Sequence, residues 1–458
     1  MVNRRIRQES KVLLVIYLIN WLLWFLLVTL LVVSRGGSFS GGVNQFFELL
    51  DYSTFLFGLH LSFGLIYILF LVVRYFYRVG RRLGFRPMLR QLTFRLIFPL
   101  GLITGVYSTL VWANGRENFK PTLGPETLNL SLEVKNLFQG DQKQRGMTVF
   151  GWREVNDSAI DNLVTHHVEW LALVPYIYQE DPQTKEVYQR DQYDTFSARD
   201  SIFIRYINHL HKRDIKVHLK PHLWMRDGWR SEIEMPDQNT WESWFDSYEN
   251  YVLHYARLAQ ETNTELFCIG TELHTAVVNR PERWRSLITK VRQIYDGPLT
   301  YAANWYEEYE DVKFWDQLDF IGVQAYFPLS DKPNPDLNTI KQGWIPHLEK
   351  LEQISQQYAK PILFTEVGYK SEASSTVKPW EWEHALSRLT RKKSDETQHL
   401  AFQAIFDDIW DKPWFAGMYI WQWDVRSKPE NAAKDLDFSP RFKAAAHTIS
   451  KGYSQPSY

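Results

Sequence analysis

The chain has 458 residues, 45% apolar and 16% aromatic, with 52 Lys and Arg against 53 Asp and Glu and a formal charge of -1. So even a balance offers no electrostatic footprint for nucleic acid. The single cysteine, Cys268, excludes an intramolecular disulfide and a cysteine-built zinc site. The length suits roughly two or three domains, and the 19 Trp suit membrane interfaces, a packed core and carbohydrate-facing surfaces alike.

The first quarter reads as membrane. Val12–Val33 is an unbroken apolar run long enough to span a hydrocarbon core, and Thr54–Val73 and Leu96–Ala113 are two more. A cleavable signal peptide is the rival for the first run, but the run is too long and no small-x-small site follows it. Arg4, Arg5, Arg7 and Lys11 precede the first run, and Arg74, Arg78, Arg81, Arg82, Arg86, Arg90 and Arg95 lie between or flank the second and third. The intervening loop holds only Arg35 with Glu48 and Asp51. The positive-inside rule then puts the N-terminus in the cytoplasm of a bacterial-type plasma membrane, and three crossings put the rest on the periplasmic or extracellular side. The runs carry no Asp, Glu, Lys or Arg, and His60 reads as a packing residue, so they form an anchor within residues 1–113 rather than a transport path. Residues 114–145 are polar with scattered Pro and Gly and read as a linker.

From Gly146 to the end, at 458, short β-rich runs alternate with helical patterns. The predicted strands are 147–152, 170–178, 215–224, 265–273, 299–305, 319–327, 361–369 and 415–423. Helices are expected over Asp200–Arg213, Trp241–Ala259 and Trp284–Tyr295. Eight strands with intervening helices predict an α/β fold, a (β/α)8 TIM barrel. An open doubly wound sheet is the alternative, but no glycine-rich phosphate loop follows an early strand.

Chemistry in such a barrel gathers at the C-terminal ends of the strands. The fourth strand ends at Glu272 and the seventh at Glu366, with no basic partner nearby in sequence. The third offers Lys220 and His222, the fifth Asn304, the sixth Gln324 and Tyr326, the eighth Trp421 and Trp423. Alternation puts Glu366 on one face with Phe364 and Ile362. Two carboxyl groups flanking one bond are what glycoside cleavage needs: one protonates the departing oxygen, and the other attacks the anomeric carbon or activates water. A separation of about 5–5.5 Å selects the retaining route. Tyr326 and Asn304 are candidate donors to the nucleophile. Metal chemistry is disfavoured, because His166 and His167 are adjacent and His209 and His211 are two apart, poor spacings for a ligand pair on one helix face. No G-x-S-x-G elbow points to a serine triad. No cofactor and no metal are expected.

The stretches KPHLW (220–224), GWR (228–230), WFDSYENYVLHYA (244–256), IGTELH (269–274), TYAANW (300–305), FWDQLDFIGVQAYFPL (314–329) and FTEVGY (364–369), followed by the tryptophans ending at Trp423, resemble glycoside hydrolase family 113 over about two thirds of the chain. The resemblance implies a retaining clan A (β/α)8 glycosidase acting on β-1,4-mannan, with Glu272 as acid/base and Glu366 as nucleophile. It implies sugar contacts from Asn304, Tyr326 and Trp423, and weaker ones from Trp152, His222, Trp224 and Trp305. Lys220 is either a sugar contact or an ion-pair partner. Thr271 stands where most of the wider clan has Asn, in keeping with this family's own form, and Ser231 stands where the family's WRG-type stretch has glycine. The three-helix anchor is not typical of the family and implies work at a lipid bilayer, on polysaccharide or oligosaccharide. A non-catalytic sugar-binding barrel and a transglycosidase in envelope polysaccharide assembly are the alternatives.

Overall fold

The computed structural model describes residues 2–34, 38–50, 53–114, 136–150, 157–188, 196–381 and 391–457. It divides into two compact units, Met1–Thr109 and Leu110–Tyr458.

Among the described residues, three helices are long and apolar enough to cross a membrane: Ser10–Ser34, Phe55–Leu83 and Phe85–Asn114, with mean hydropathies of 2.4, 2.4 and 1.7. The second and third outrun the apolar stretches because the arginine-rich segment between them is itself helical. An unanticipated helix, Phe39–Leu49, starts where Ser38 Oγ accepts from Gly41 N at 3.0 Å. A polar seam joins the first two spans. Asn20 Nδ2 donates to Leu59 O at 2.9 Å, Ser62 Oγ to Asn20 Oδ1 at 2.8 Å and Trp24 Nε1 to Ser62 Oγ at 2.8 Å. Such bonds hold helices together where hydrocarbon supplies no hydrophobic drive.

The second unit contains strands β1 (Gln144–Phe150), β2 (Trp170–Leu173), β3 (Tyr176–Gln179), β4 (Lys216–Leu219), β5 (His222–Met225), β6 (Leu266–Thr271), β7 (Leu299–Asn304), β8 (Phe320–Gln324), β9 (Ile362–Val367) and β10 (Phe415–Asp424). A closed barrel runs in the order β1-β10-β9-β8-β7-β6-β4-β2, all parallel. The eight predicted strands are therefore the barrel strands, and the fourth and seventh are β6 and β9. The first starts at Gln144, inside the stretch read as linker.

Two predicted strands, 170–178 and 215–224, each break in two. Pro175 and Pro221 fall at the breaks, and Pro221 has no N–H to give between the bonds Lys220 N to Leu173 O and His222 N to Pro175 O, both 2.9 Å. Beyond the prolines β3 and β5 leave the barrel as their own parallel pair. The expected helices are present as Phe196–His211, Gln238–Glu261 and Pro281–Arg292.

Two apolar cores result. Trp170, Ala172, Leu266, Leu363, Ala416 and Tyr419 pack together although they come from strands around the ring, so they fill the lumen. The larger cluster lies between barrel and helices and takes Ile362, Phe364 and Val367 from β9. Gly270 on β6 is needed for close packing: a Cβ there would lie 2.8 Å from Tyr248 Oη and 2.9 Å from the Tyr301 ring. Gly270→Ala is expected to destabilise the barrel by about 1–3 kcal/mol, the usual range for overpacking, seen as a lower thermal midpoint.

Candidate active site

A register shift sets the direction of Glu366. On β9, Val323 pairs with Phe364 but Gln324 pairs with Glu366, which leaves Thr365 as the extra residue of a bulge. Plain alternation puts Glu366 with Ile362 and Phe364, and those two face the outer core. The bulge turns Glu366 the other way, level with Gln324. A similar shift between Thr148 and Val149 separates Trp421 from Trp423 on β10. Trp421 is half-buried, whereas Trp423 is 1% exposed in the core outside the barrel, its ring edge-on to His166 at 4.8 Å.

Both carboxylates are buried and held by cations distant in sequence. Lys220, 0% exposed, reaches from the end of β4 to Glu366 Oε1 and also donates to Gln324 Oε1 at 3.1 Å. Lys220 is thus the ion-pair partner of Glu366. Tyr326 Oη donates to Glu366 Oε2 at 2.8 Å. Burial, then the Glu366 charge, push the Tyr326 hydroxyl well above its ordinary range, and Glu272 adds to the rise. Tyr326 is therefore a fixed donor in the field of both acids. Burial and the Glu366 charge also push Tyr176 up to about 12.

Glu272, just past β6, pairs through Oε2 with Arg230 Nη2. Its backbone is left-handed, φ 51°, a conformation that costs a non-glycine residue about 1–3 kcal/mol and persists only when surroundings over-determine it. Here they do. Glu272 N donates to Ala302 O at 2.9 Å, Ser231 Oγ to Glu272 O at 3.0 Å, and Leu273 N to Tyr301 Oη at 2.6 Å. Ser231 thus supports the backbone of Glu272. Arg230, a residue sequence reasoning passed over, sits with its guanidinium 4.2 Å from the centroid of exposed Trp229.

Asn304, half-buried, ends β7 and accepts from Tyr306 N at 3.0 Å. Behind it lies Glu308, 0% exposed and likewise not anticipated. Burial pushes its carboxyl up to about 8, against the pull of hydrogen bonds from Tyr301 and Asn304. A carboxyl raised on folding binds more protons in the native state, so its contribution to stability falls as pH rises from its unfolded value through about 8. Glu308→Gln is expected to flatten that decline, by up to a few kcal/mol between pH 5 and 8, measured as the pH dependence of the thermal midpoint.

His222 is 6% exposed, with neither ring nitrogen paired among the described residues. Burial, Arg230 and Lys220 hold it neutral, well below the usual imidazole value. Its ring lies 5.7 Å from that of Tyr176. Trp224 is exposed beside Tyr176 at 6.3 Å. Trp305 packs on Trp380 at 4.9 Å and on exposed Tyr306 at 5.5 Å. Trp152 lies outside the described residues. Three of the four histidines weighed as metal ligands are engaged elsewhere: His166 with Asn162 O, His209 with Asp157 and His211 with Glu265.

Residues 147–443 match the model of Glycoside Hydrolase Family 113. Among solved structures, a GH113 β-1,4-mannanase in a complex aligns at 28% identity over 68% of this chain and 99% of its own, with a TM-score of 0.59. The GH113 β-mannanase AaManA from Alicyclobacillus acidocaldarius in complex with ManMIm aligns at 29% identity over 68% and 97%, also at 0.59. No curated protein matches. The matched region runs from within β1 through β10 and includes both buried glutamates, and the chain belongs to glycoside hydrolase family 113.

Proposed function

We propose that this glycoside hydrolase is anchored in a membrane and cleaves β-1,4-mannan or manno-oligosaccharides with retention of configuration. The observation that carries the reading is the pair of buried carboxylates at the ends of the fourth and seventh strands, both in the field of the Tyr326 hydroxyl. Glu366, held by Lys220 and Tyr326, attacks the anomeric carbon. The glycosidic C–O bond breaks, and Glu272 passes its proton to the leaving oxygen. Glu272 then takes a proton from water, whose oxygen attacks the anomeric carbon and releases Glu366. Asn304, the unpaired nitrogens of His222 and the half-buried Trp421 are the contacts proposed for the sugar being transferred, with Trp224 and Trp305 further along the chain of sugars. Exposed aromatic faces on the β3–β5 side and beyond β7 suit successive pyranose rings. Trp423, sealed in the outer core, would act only by supporting Trp421. The alignment with β-1,4-mannanases of the same family supports mannan as the substrate class.

The three apolar helices support anchoring, and the arginines between the second and third support a cytoplasmic N-terminus with the barrel outside. Protease added to intact spheroplasts should then digest the barrel, and protection of the barrel would reverse the orientation. The functional test is incubation of the full-length chain, in detergent, with manno-oligosaccharides while NMR follows the anomeric protons. β-Product appearing before mutarotation is expected. Transfer to an added sugar acceptor in place of water would make the protein a transglycosidase, and binding without turnover would make it a glycan-binding barrel.

A further inference from the structure

Glu308 has no place in the two-carboxylate mechanism, yet it is fully buried beneath the site. Its two oxygens are used separately. Oε1 accepts from Tyr301 Oη at 2.5 Å and Oε2 from Asn304 N at 2.6 Å. Tyr301 Oη in turn accepts from Leu273 N, the amide directly after Glu272, at 2.6 Å. The chain Leu273 N–Tyr301–Glu308–Asn304 N therefore ties the end of β6 to the end of β7.

We propose that Glu308, acting through Tyr301, is a positioning residue for Glu272: it holds the left-handed turn that aims the acid/base, and fixes Asn304 by the same link. The inference rests on the reading of Glu272 as acid/base. Three bonds restrain the Glu272 turn, and two of them, to Ala302 O and from Ser231 Oγ, involve ordinary neighbours. The third is a tyrosine locked by a buried acid. An ordinary core would not keep a carboxyl there, because burying one is expensive unless its partners need it. Tyr301 acts on Glu308 through its hydrogen bond, and Glu272 and Arg230 through their charges. Burial and the Glu308 charge also keep Tyr301 protonated, with its hydroxyl well above the ordinary range, so it remains available as donor.

Leaving-group dependence separates positioning from general damage. A dinitrophenol leaves without a proton, so a misaimed acid barely slows glycosylation, whereas a sugar leaving group needs the proton. The test compares full-length wild type, Glu308→Gln, Tyr301→Phe and, as reference, Glu272→Ala. The substrates are dinitrophenyl β-mannoside, β-glucoside and β-galactoside, and manno-, gluco- and xylo-oligosaccharides. Both relay variants are expected to lose kcat/KM on the oligosaccharide by about 10- to 100-fold, a fraction of the usual worth of a general acid, while kcat/KM on the matching dinitrophenyl glycoside changes less than about threefold. Equal losses on both substrates, no loss on either, or failure of both variants to fold would overturn the positioning role. Wild type inactive on the whole panel, or Glu272→Ala showing no such split, would instead overturn the reading of Glu272.

Discussion

Replacing Glu366 with alanine is expected to reduce cleavage of manno-oligosaccharides by at least about 10⁴-fold, the scale on which removal of a covalent nucleophile acts. Sodium azide should restore turnover of a dinitrophenyl glycoside, giving the glycosyl azide with inverted configuration, because a small anion fits where the carboxylate stood. Rescue with retained configuration, or activity within tenfold of wild type, would remove Glu366 from the role. The substitution also strands Lys220, which is fully buried and, among the described residues, has Gln324 as its one other side-chain partner. Breaking a buried pair from one side costs about 3–5 kcal/mol, so the alanine variant should melt below wild type. Its folding has to be checked by circular dichroism alongside the kinetics.

Lys220→Met is the complementary experiment and the second large effect. Methionine matches the length of the lysine stem but carries no charge, so the buried Glu366 carboxylate would keep Tyr326 as its main donor and lose its cation. Stability is expected to fall by about 3–5 kcal/mol for the same one-sided reason. kcat should fall by about 10²- to 10³-fold, the scale of one lost electrostatic contact in a water-excluded site. The double variant Lys220→Met with Glu366→Gln should recover much of the stability and none of the activity, because neither side then presents an unpaired charge. Stability unchanged in the single variant would mean that the ion pair contributes nothing measurable, and the clamp on Glu366 would have to be assigned to Tyr326.

Most of the architecture was legible. The eight runs of β-branched and aromatic residues are the eight barrel strands in order, and Glu272 and Glu366 stand at the ends of the fourth and seventh. The parts that were not legible depend on neighbours far along the chain. The bulge that turns Glu366 inward follows from the register of β9 against β8, and alternation along β9 alone assigns the wrong face. The same holds for Trp421 and Trp423 against β1. Neither glutamate is paired by a residue close in sequence; each has a cation in the folded chain, Arg230 for Glu272 and Lys220 for Glu366, brought in from segments after other strands. The splitting of two strands had a local signal, Pro175 and Pro221, because proline interrupts a ladder. Glu308 had one too, an acid in the WYEEYE stretch after Asn304, but nothing local distinguishes it from its exposed neighbours Glu307 and Glu310.

The extra residue at Thr365 also bears on how this strand tolerates length changes. Thr365 is fully buried and its hydroxyl has no partner among the described residues, so its side chain adds little that packing alone would not. Its contribution is a one-residue phase offset. Regular pairing of β9 with Thr365 kept, so that Thr365 met Gln324, would aim the carboxylate at the helices, where Phe364 now packs against Trp344, whereas deleting Thr365 would leave the carboxylate facing inward opposite Gln324. A strand of the same length, regularly paired, would thus be an inactive one, and a barrel designer who smoothed out the bulge without also removing its extra residue would lose the nucleophile while improving the sheet.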